Sequence, residues 1–406
     1  MASRISAPVS ASLASLADLS GRLRQTKSRL ELMRLVGDFL RGLPPGDLSA
    51  AARLLIGQPF PEDDPRKLDV SSATLWRAAC SVSVLVTSLE SLRTQAVDFG
   101  DAMEQLFADA GRNSGASALT LEEVIRTFDA MAAQRGRGAR QERESLLICL
   151  LERASPTEAK FLAKCILGDM RHGVNQGVLL ETVARATGLA ADMVRRAVMI
   201  LGDVGEVAQL AFQKGPGAFS AITPRLFHPL KPMFAQTAHT LEESSDGAPG
   251  GLALEFKLDG ARVQVHLDKD KVRLFSRRLH DVTERLSDIA AEVRGTVRTR
   301  RAIMEGEVVA LDASGMIRPF QDLLRRYRRV HKVEIAQREV PLRLILFDLL
   351  LEGDAHLLDR PYEERWQRLE QVHGGSPLSH DACLKCWRRP RLSGARRWRR
   401  GTRESC

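Results

Sequence analysis

Long apolar runs are missing from this chain, and their absence excludes a helical membrane span. The most hydrophobic stretch, "LRLILFDLLL" at 342–351, is broken by charge and far shorter than a bilayer needs. Residues 1–17 lack acids but contain no continuous apolar core, so they do not read as a secretory signal. Cysteine is scarce: six in 406 residues, without regular spacing, argue against a disulfide framework and for a reduced cytoplasmic setting. No repeat recurs at solenoid periods. What is present, 44% hydrophobic and 27% charged residues, is the composition of a globular protein long enough for two domains. A monomer is expected.

The net charge of +9 suggests a nucleic-acid partner, but its distribution weakens the inference. Between Ser376 and Cys406, eight arginines and Lys385 oppose only Asp381 and Glu404, a net +7 that leaves +2 for the rest. A claim of DNA binding must therefore rest on local features. The same stretch holds two of the four tryptophans and three of the six cysteines with no sustained apolar period, and reads as an unfolded basic tail. His380, Cys383, Cys386 and Cys406 supply four zinc ligands on paper, yet the second cysteine pair lacks compact knuckle spacing.

Two periodicities divide the remainder. From Leu19 to Leu226 the pattern is helical: Leu32, Leu35, Val36, Phe39 and Leu40 repeat at three and four residues, and Ser155, Pro156 and Glu158 form a helix start. From about Leu230 the period is two, with strands predicted at 252–257, 261–267, 271–276, 303–311 and 342–351. The loop-like "EESSDGAPGG" at 242–251 lies ahead of the first strand. The expected fold is multidomain: a flexible start at 1–18, an all-α domain at 19–226, an α+β domain at 227–375 and the basic tail at 376–406.

Within the strand region, "EFKLDGARVQVH" at 255–266 sets Lys257, Asp259, Gly260 and Arg262 between two alternating segments. One reading is a hairpin whose Asp259-Gly260 turn uses glycine's freedom at positive φ and leaves the charges solvated. The other is a reactive lysine. Further elements follow in order: Ser276-Arg277-Arg278 at a strand end, Glu305-Gly306-Glu307-Val308-Val309 in another strand, and Phe347 within "LILFDLLLEGD". A single K-x-D-G is weak, whereas the ordered set is specific.

That set resembles the ATP-dependent DNA ligases of the covalent nucleotidyltransferase superfamily, in particular bacterial and archaeal members with a helical DNA-binding domain. The resemblance runs from about Leu19 to Gly375 and includes "KPMFAQTA" at 231–238 and "LGDMRHGVNQGVLLETVARATGL" at 167–189. It implies nick sealing in double-stranded DNA through lysine-AMP and DNA-adenylate intermediates, with ATP and Mg²⁺. By resemblance Lys257 is the nucleophile, Glu255 lies beside the adenine, Phe347 stacks on it, and Glu307 sits near the ribose or a metal. Arg262 and Arg277 are expected at the nucleotide or the DNA 5′-phosphate, and Arg171 and Gly173 at the DNA backbone.

Each assignment suits its side chain, and each has a plainer alternative. A lysine attacks phosphorus only as the free amine, a form that neighbouring cations favour. A phenyl face stacks, but Phe347 also lies where core aromatics pack. Arg171-His172-Gly173 at a helix end can grip phosphate or simply cap a helix. Arg325, Arg326, Arg328 and Arg329 form either a DNA-facing cluster or a solvated helix face. Asp259 either orients the lysine or organises the turn.

The sequence departs from the family pattern in two ways. Glu305 replaces the usual aspartate before Gly-Glu. After Gly375 there is no E-G-x-x-x-K segment, no later lysine motif and no OB-fold, and the abrupt change near Ser376 looks like out-of-frame translation or an altered terminus. The adenylation domain is therefore expected to be incomplete and ligation impaired. Two rival readings are a catalytically silent DNA-binding remnant and an RNA ligase or capping-type nucleotidyltransferase.

Overall fold

A computed structural model describes residues 10–84, 96–112, 119–233, 237–240, 243, 257–312, 314–327, 337 and 339–373. It divides into two compact units, Met1–Lys231 and Pro232–Cys406. The boundary lies five residues beyond the expected one because Lys231 is tied into the first unit. Its amide donates to the Met199 carbonyl (2.8 Å), and its ammonium reaches Gln176 Oε1 (2.9 Å) and Glu62 (2.5 Å).

The first unit is built of helices, and its sequence punctuates them clearly. Ser12, Ser28, Ser71, Asp98 and Asn175 each accept a backbone N–H from the first turn of the helix they precede. Thr120 with Glu123, and Ser155 with Glu158, close reciprocal capping boxes. Gly168, Gly188 and Gly202 end their helices in the left-handed conformation, which costs a glycine no Cβ clash. The helix Arg29–Arg41 buries Leu32, Leu35, Val36 and Leu40, with Phe39 only partly covered. Phe107, Phe128 and Phe161 fill the centre of the core.

Residues 10–18, expected to belong to a flexible start, are packed into the first unit. A helix spans Leu13–Gln25, with Leu13 and Leu16 fully buried, and the chain before it is pinned by Leu13 N–H to Leu119 O and Ala11 N–H to Asp47. Alanine and serine there lowered the apolar signal, although the apolar positions still recur at helical spacing.

The second unit contains, among the described residues, one antiparallel sheet in the order β2-β1-β3-β4-β5. The strands are β1 Ala261–Asp268, β2 Lys271–Ser276, β3 Arg301–Ala310, β4 Leu342–Glu352 and β5 Ala355–His356. Helical and strand segments thus segregate as an all-α unit followed by an α+β unit. Val263, Val265, Leu267, Met304, Val308, Leu344 and Leu346 share a core with Ile289 and Val293 of the helix Ser287–Thr296, and with Trp366 and Leu369 of the helix Tyr362–His373. Residues 252–256 of the first expected strand lie outside the described residues. No described helix is long and apolar enough to cross a membrane.

His172 supplies a pH-dependent term in the helical unit. It is 3% exposed, its Nδ1 accepts from Val174 N–H (3.3 Å), and burial holds its pKa down at about 4. Between pH 6.5 and 4 the unfolded chain takes up a proton that the folded chain refuses, so stability falls as pH drops through that window and levels off below it. The full effect is on the order of 3 kcal/mol. In urea unfolding followed by far-UV circular dichroism, the midpoint of His172→Gln should fall less between pH 6.5 and 4.5 than that of the unchanged chain; equal falls would refute the assignment.

Candidate active site

One face of β1 carries Arg262, Gln264 and His266, while Val263, Val265 and Leu267 on the opposite face point into the apolar core. This follows from the two-residue period of a strand, which sends alternate side chains to opposite faces. Across the ladder Arg262 pairs with Glu307, Gln264 with Glu305 and His266 with Ile303. On the other side Gln264 lies opposite Phe275, and Glu305 lies opposite Asp348 of β4. One sheet face therefore gathers residues separated by more than eighty positions in the chain.

Lys257 is exposed, just ahead of β1. Glu307 is the point on which the candidate charges converge: burial pushes its carboxyl up, while the positive charges of Lys257, Arg262 and Arg277 pull it down and Asp259 opposes them. Phe347 is half-buried, and the Arg262 guanidinium carbon lies 5.5 Å from its ring centroid, within cation–π range. Tyr362 Oη donates to the Phe347 carbonyl (2.9 Å), and Arg365 grips Asp348 with two bonds (2.7 and 2.9 Å), fixing this irregular part of β4. The structure thus brings together Lys257, Arg262, Arg277, Glu307 and Phe347. Glu255 lies outside the described residues.

Gly260 corrects the turn argument. It has no positive φ; instead, a Cβ there would meet Val308 O at 2.5 Å and Glu307 Cγ at 2.7 Å. The glycine permits close approach of the lysine segment to β3. The basic cluster also needs correction. Arg326 is buried, donating to Val340 O (2.9 Å) beside Asp288 (2.5 Å), so it cannot lie along DNA. Arg325 is exposed and pairs with Asp322, while Arg328 and Arg329 lie outside the described residues.

Sequence reasoning missed the polar row beneath Arg262. Glu305 accepts from Arg262 Nε (2.9 Å) and from Gln264 Nε2 (2.6 Å), and Gln264 Oε1 meets His266 Nε2 at 2.7 Å. Burial pushes the Glu305 carboxyl up, and Arg262 pulls it back. The signal was the alternation R-V-Q-V-H itself, whose polar members all fall on one face.

In the helical unit, Arg171 and Gly173 lie on the loop between the helices Pro156–Leu167 and Gln176–Thr187. Both are left-handed, with φ of 48° and 82°, and the intervening His172 is buried. Arg171 is exposed and held by Asp169 at 2.7 Å. A cleft of about 450 Å³ nearby is lined by Arg24, Lys160, Lys164, Met170 and His172, among others. Its cations are largely committed: Lys164 to Asp98, Lys160 to Glu104 and Asp101, and Arg24 to Asp101.

Among the described residues, no three acidic, histidine or cysteine side chains cluster as a metal cage. The half-buried Glu307 carboxylate nevertheless suits Mg²⁺, which retains waters and is commonly held by one or two carboxylates together with substrate phosphates.

Comparison with known proteins adds sequence evidence to this geometry. Residues 12–184 match the family model "DNA ligase N terminus", and residues 232–382 match "ATP dependent DNA ligase domain". DNA ligase 1 of Korarchaeum cryptofilum is 40% identical over 361 residues, covering 88% of this chain and 64% of the relative. The DNA ligase of Thermococcus fumicolans is 36% identical over 359 residues with the same coverage. A solved mycobacterial DNA ligase D complexed with ATP and MES aligns with 31% of this chain and 38% of its own at 27% identity, with a TM-score of 0.24. The chain spans 64% of the length of these curated relatives. With matches to both ligase domains in order, the chain belongs to the ATP-dependent DNA ligase family.

Proposed function

We propose that the second unit transfers AMP from ATP to Lys257, the first step of sealing nicks in double-stranded DNA, with the chain acting as a cytoplasmic monomer. The observation that carries this reading is the convergence of Lys257, Arg262 and Arg277 on Glu307, on a sheet face that also presents Phe347. In this reading the free amine of Lys257 attacks the α-phosphorus. A P–N bond forms, the P–O bond to the β-phosphate breaks, pyrophosphate leaves with that electron pair, and the nitrogen gives up a proton.

Arg262 and Arg277 bind and orient phosphate oxygens, Phe347 stacks on the base, and Glu307 accepts from the ribose or holds the metal. Mg²⁺, when bound, would neutralise charge on the transferring phosphate. Glu255 takes the adenine edge. Incubation with α-labelled ATP, Mg²⁺ and nicked duplex tests the reading, with label on protein and sealed DNA measured separately. With DNA omitted, absence of labelled protein under conditions where ATP binds would overturn it.

For the helical unit we propose a backbone grip on DNA by Arg171 and the loop amides beside Gly173. A phosphate contact carries no base information, so affinity should be independent of sequence and fall steeply with salt. Arg171→Ala should weaken binding of any duplex and reduce the slope of log affinity against log salt by about 1. Filter binding across a salt series checks this, and a strong preference for one sequence at equal salt would contradict it.

A further inference from the structure

We infer that Gln264 and His266 are positioning residues that act through Glu305 to fix the Arg262 guanidinium for a phosphate of the nucleotide; this rests on the reading of Arg262 given above. The bonds have only one consistent direction once Glu305 is a carboxylate. Arg262 donates through Nε to Glu305 Oε2, and a guanidinium has no acceptor with which to do otherwise. The other carboxylate oxygen accepts from the Gln264 amide nitrogen, which turns the Gln264 oxygen toward His266. His266 must then donate through Nε2, so its tautomer is set. Its ring is held edge-on to Phe275 at 4.9 Å.

Burial shows where the chain leads. His266 is 0% exposed, and Gln264 and Glu305 are each 5% exposed, whereas the Arg262 side chain is 36% exposed. Three polar groups on a strand face are costly to bury, and apolar residues of similar size would pack there without that penalty. Their arrangement constrains the one member that reaches outward. Glu305 engages the Nε edge of the fork, Phe347 lies against the guanidinium, and among the described residues no other acceptor is seen for its Nη groups. A supporting row of this kind sets the orientation of a phosphate-binding fork more tightly than its flexible stem could.

Chemical rescue tests the inference in the full chain, with binding of the fluorescent nucleotide mant-ATP as readout and the urea midpoint recorded for every variant. Gln264→Leu should weaken mant-ATP binding about tenfold. Arg262→Gly should bind poorly and recover when ethylguanidinium is added, because Glu305 still offers an oriented seat. Arg262→Gly combined with Gln264→Leu should not recover. If Gln264→Leu does not fold, His266→Phe, which keeps a ring but loses the donor, carries the same comparison. Equal recovery in both backgrounds would overturn the inference and leave the nucleotide reading intact. Binding by Arg262→Gly as tight as that of the unchanged chain would overturn both.

Discussion

Lys257→Ala should abolish labelling of the protein by α-labelled ATP, while mant-ATP should still bind. The expected effect is complete for the covalent step because the methyl group of alanine cannot form the P–N bond. Binding should survive because the other contacts belong to separate elements: Arg262 on β1, Arg277 after β2, Glu307 on β3 and Phe347 on β4. Lys257→Arg is the sharper control. It keeps a cation beside Glu307, but a guanidinium remains charged and does not serve as a nucleophile. Binding without label in both variants would place Lys257 at the bond. Label retained by Lys257→Ala would move the nucleophile elsewhere, and loss of mant-ATP binding in Lys257→Arg would make the lysine's role one of binding geometry.

Much of this site was legible in the sequence because strand periodicity and motif order are local signals. Lys257, Arg262, Arg277, Glu307 and Phe347 could each be placed on or beside a strand before the sheet was known. What could not be read was which strand faces which. The pairing of Gln264 with Glu305 depends on a register between residues forty-one apart, set by the β1–β3 ladder. Arg326 was misread for a related reason. Its neighbours are charged, but its position on the helix Phe320–Tyr327 turns it inward to Asp288, a partner thirty-eight positions earlier. In the helical unit the caps were plain, since serine, threonine and glutamate act within four residues. The ion pairs that join helices were not.

One of those pairs should be expensive to break. Lys164 and Asp98 meet at 2.7 Å with side chains only 4% and 3% exposed, joining the helix Pro156–Leu167 to the start of the helix Phe99–Asp109. The fit is close: a Cβ on Gly100 would meet Lys164 Cε at 2.5 Å, so a side chain there would have to displace the lysine stem. Lys164→Met keeps most of the stem and removes the charge, leaving the Asp98 carboxylate buried with the Asp101 N–H (2.9 Å) and a more distant Arg24 at 3.6 Å. Breaking one half of such a pair costs about 3–5 kcal/mol, and the remaining donors place the expectation near the lower end. Adding Asp98→Asn should recover much of the loss, because the amide removes the unpaired charge while its oxygen can still accept the helix N–H. Urea unfolding of the two single variants and the double variant measures the coupling. A Lys164→Met midpoint indistinguishable from that of the unchanged chain, or a double variant no more stable than Lys164→Met, would show that the pair is hydrated and that packing alone joins these helices.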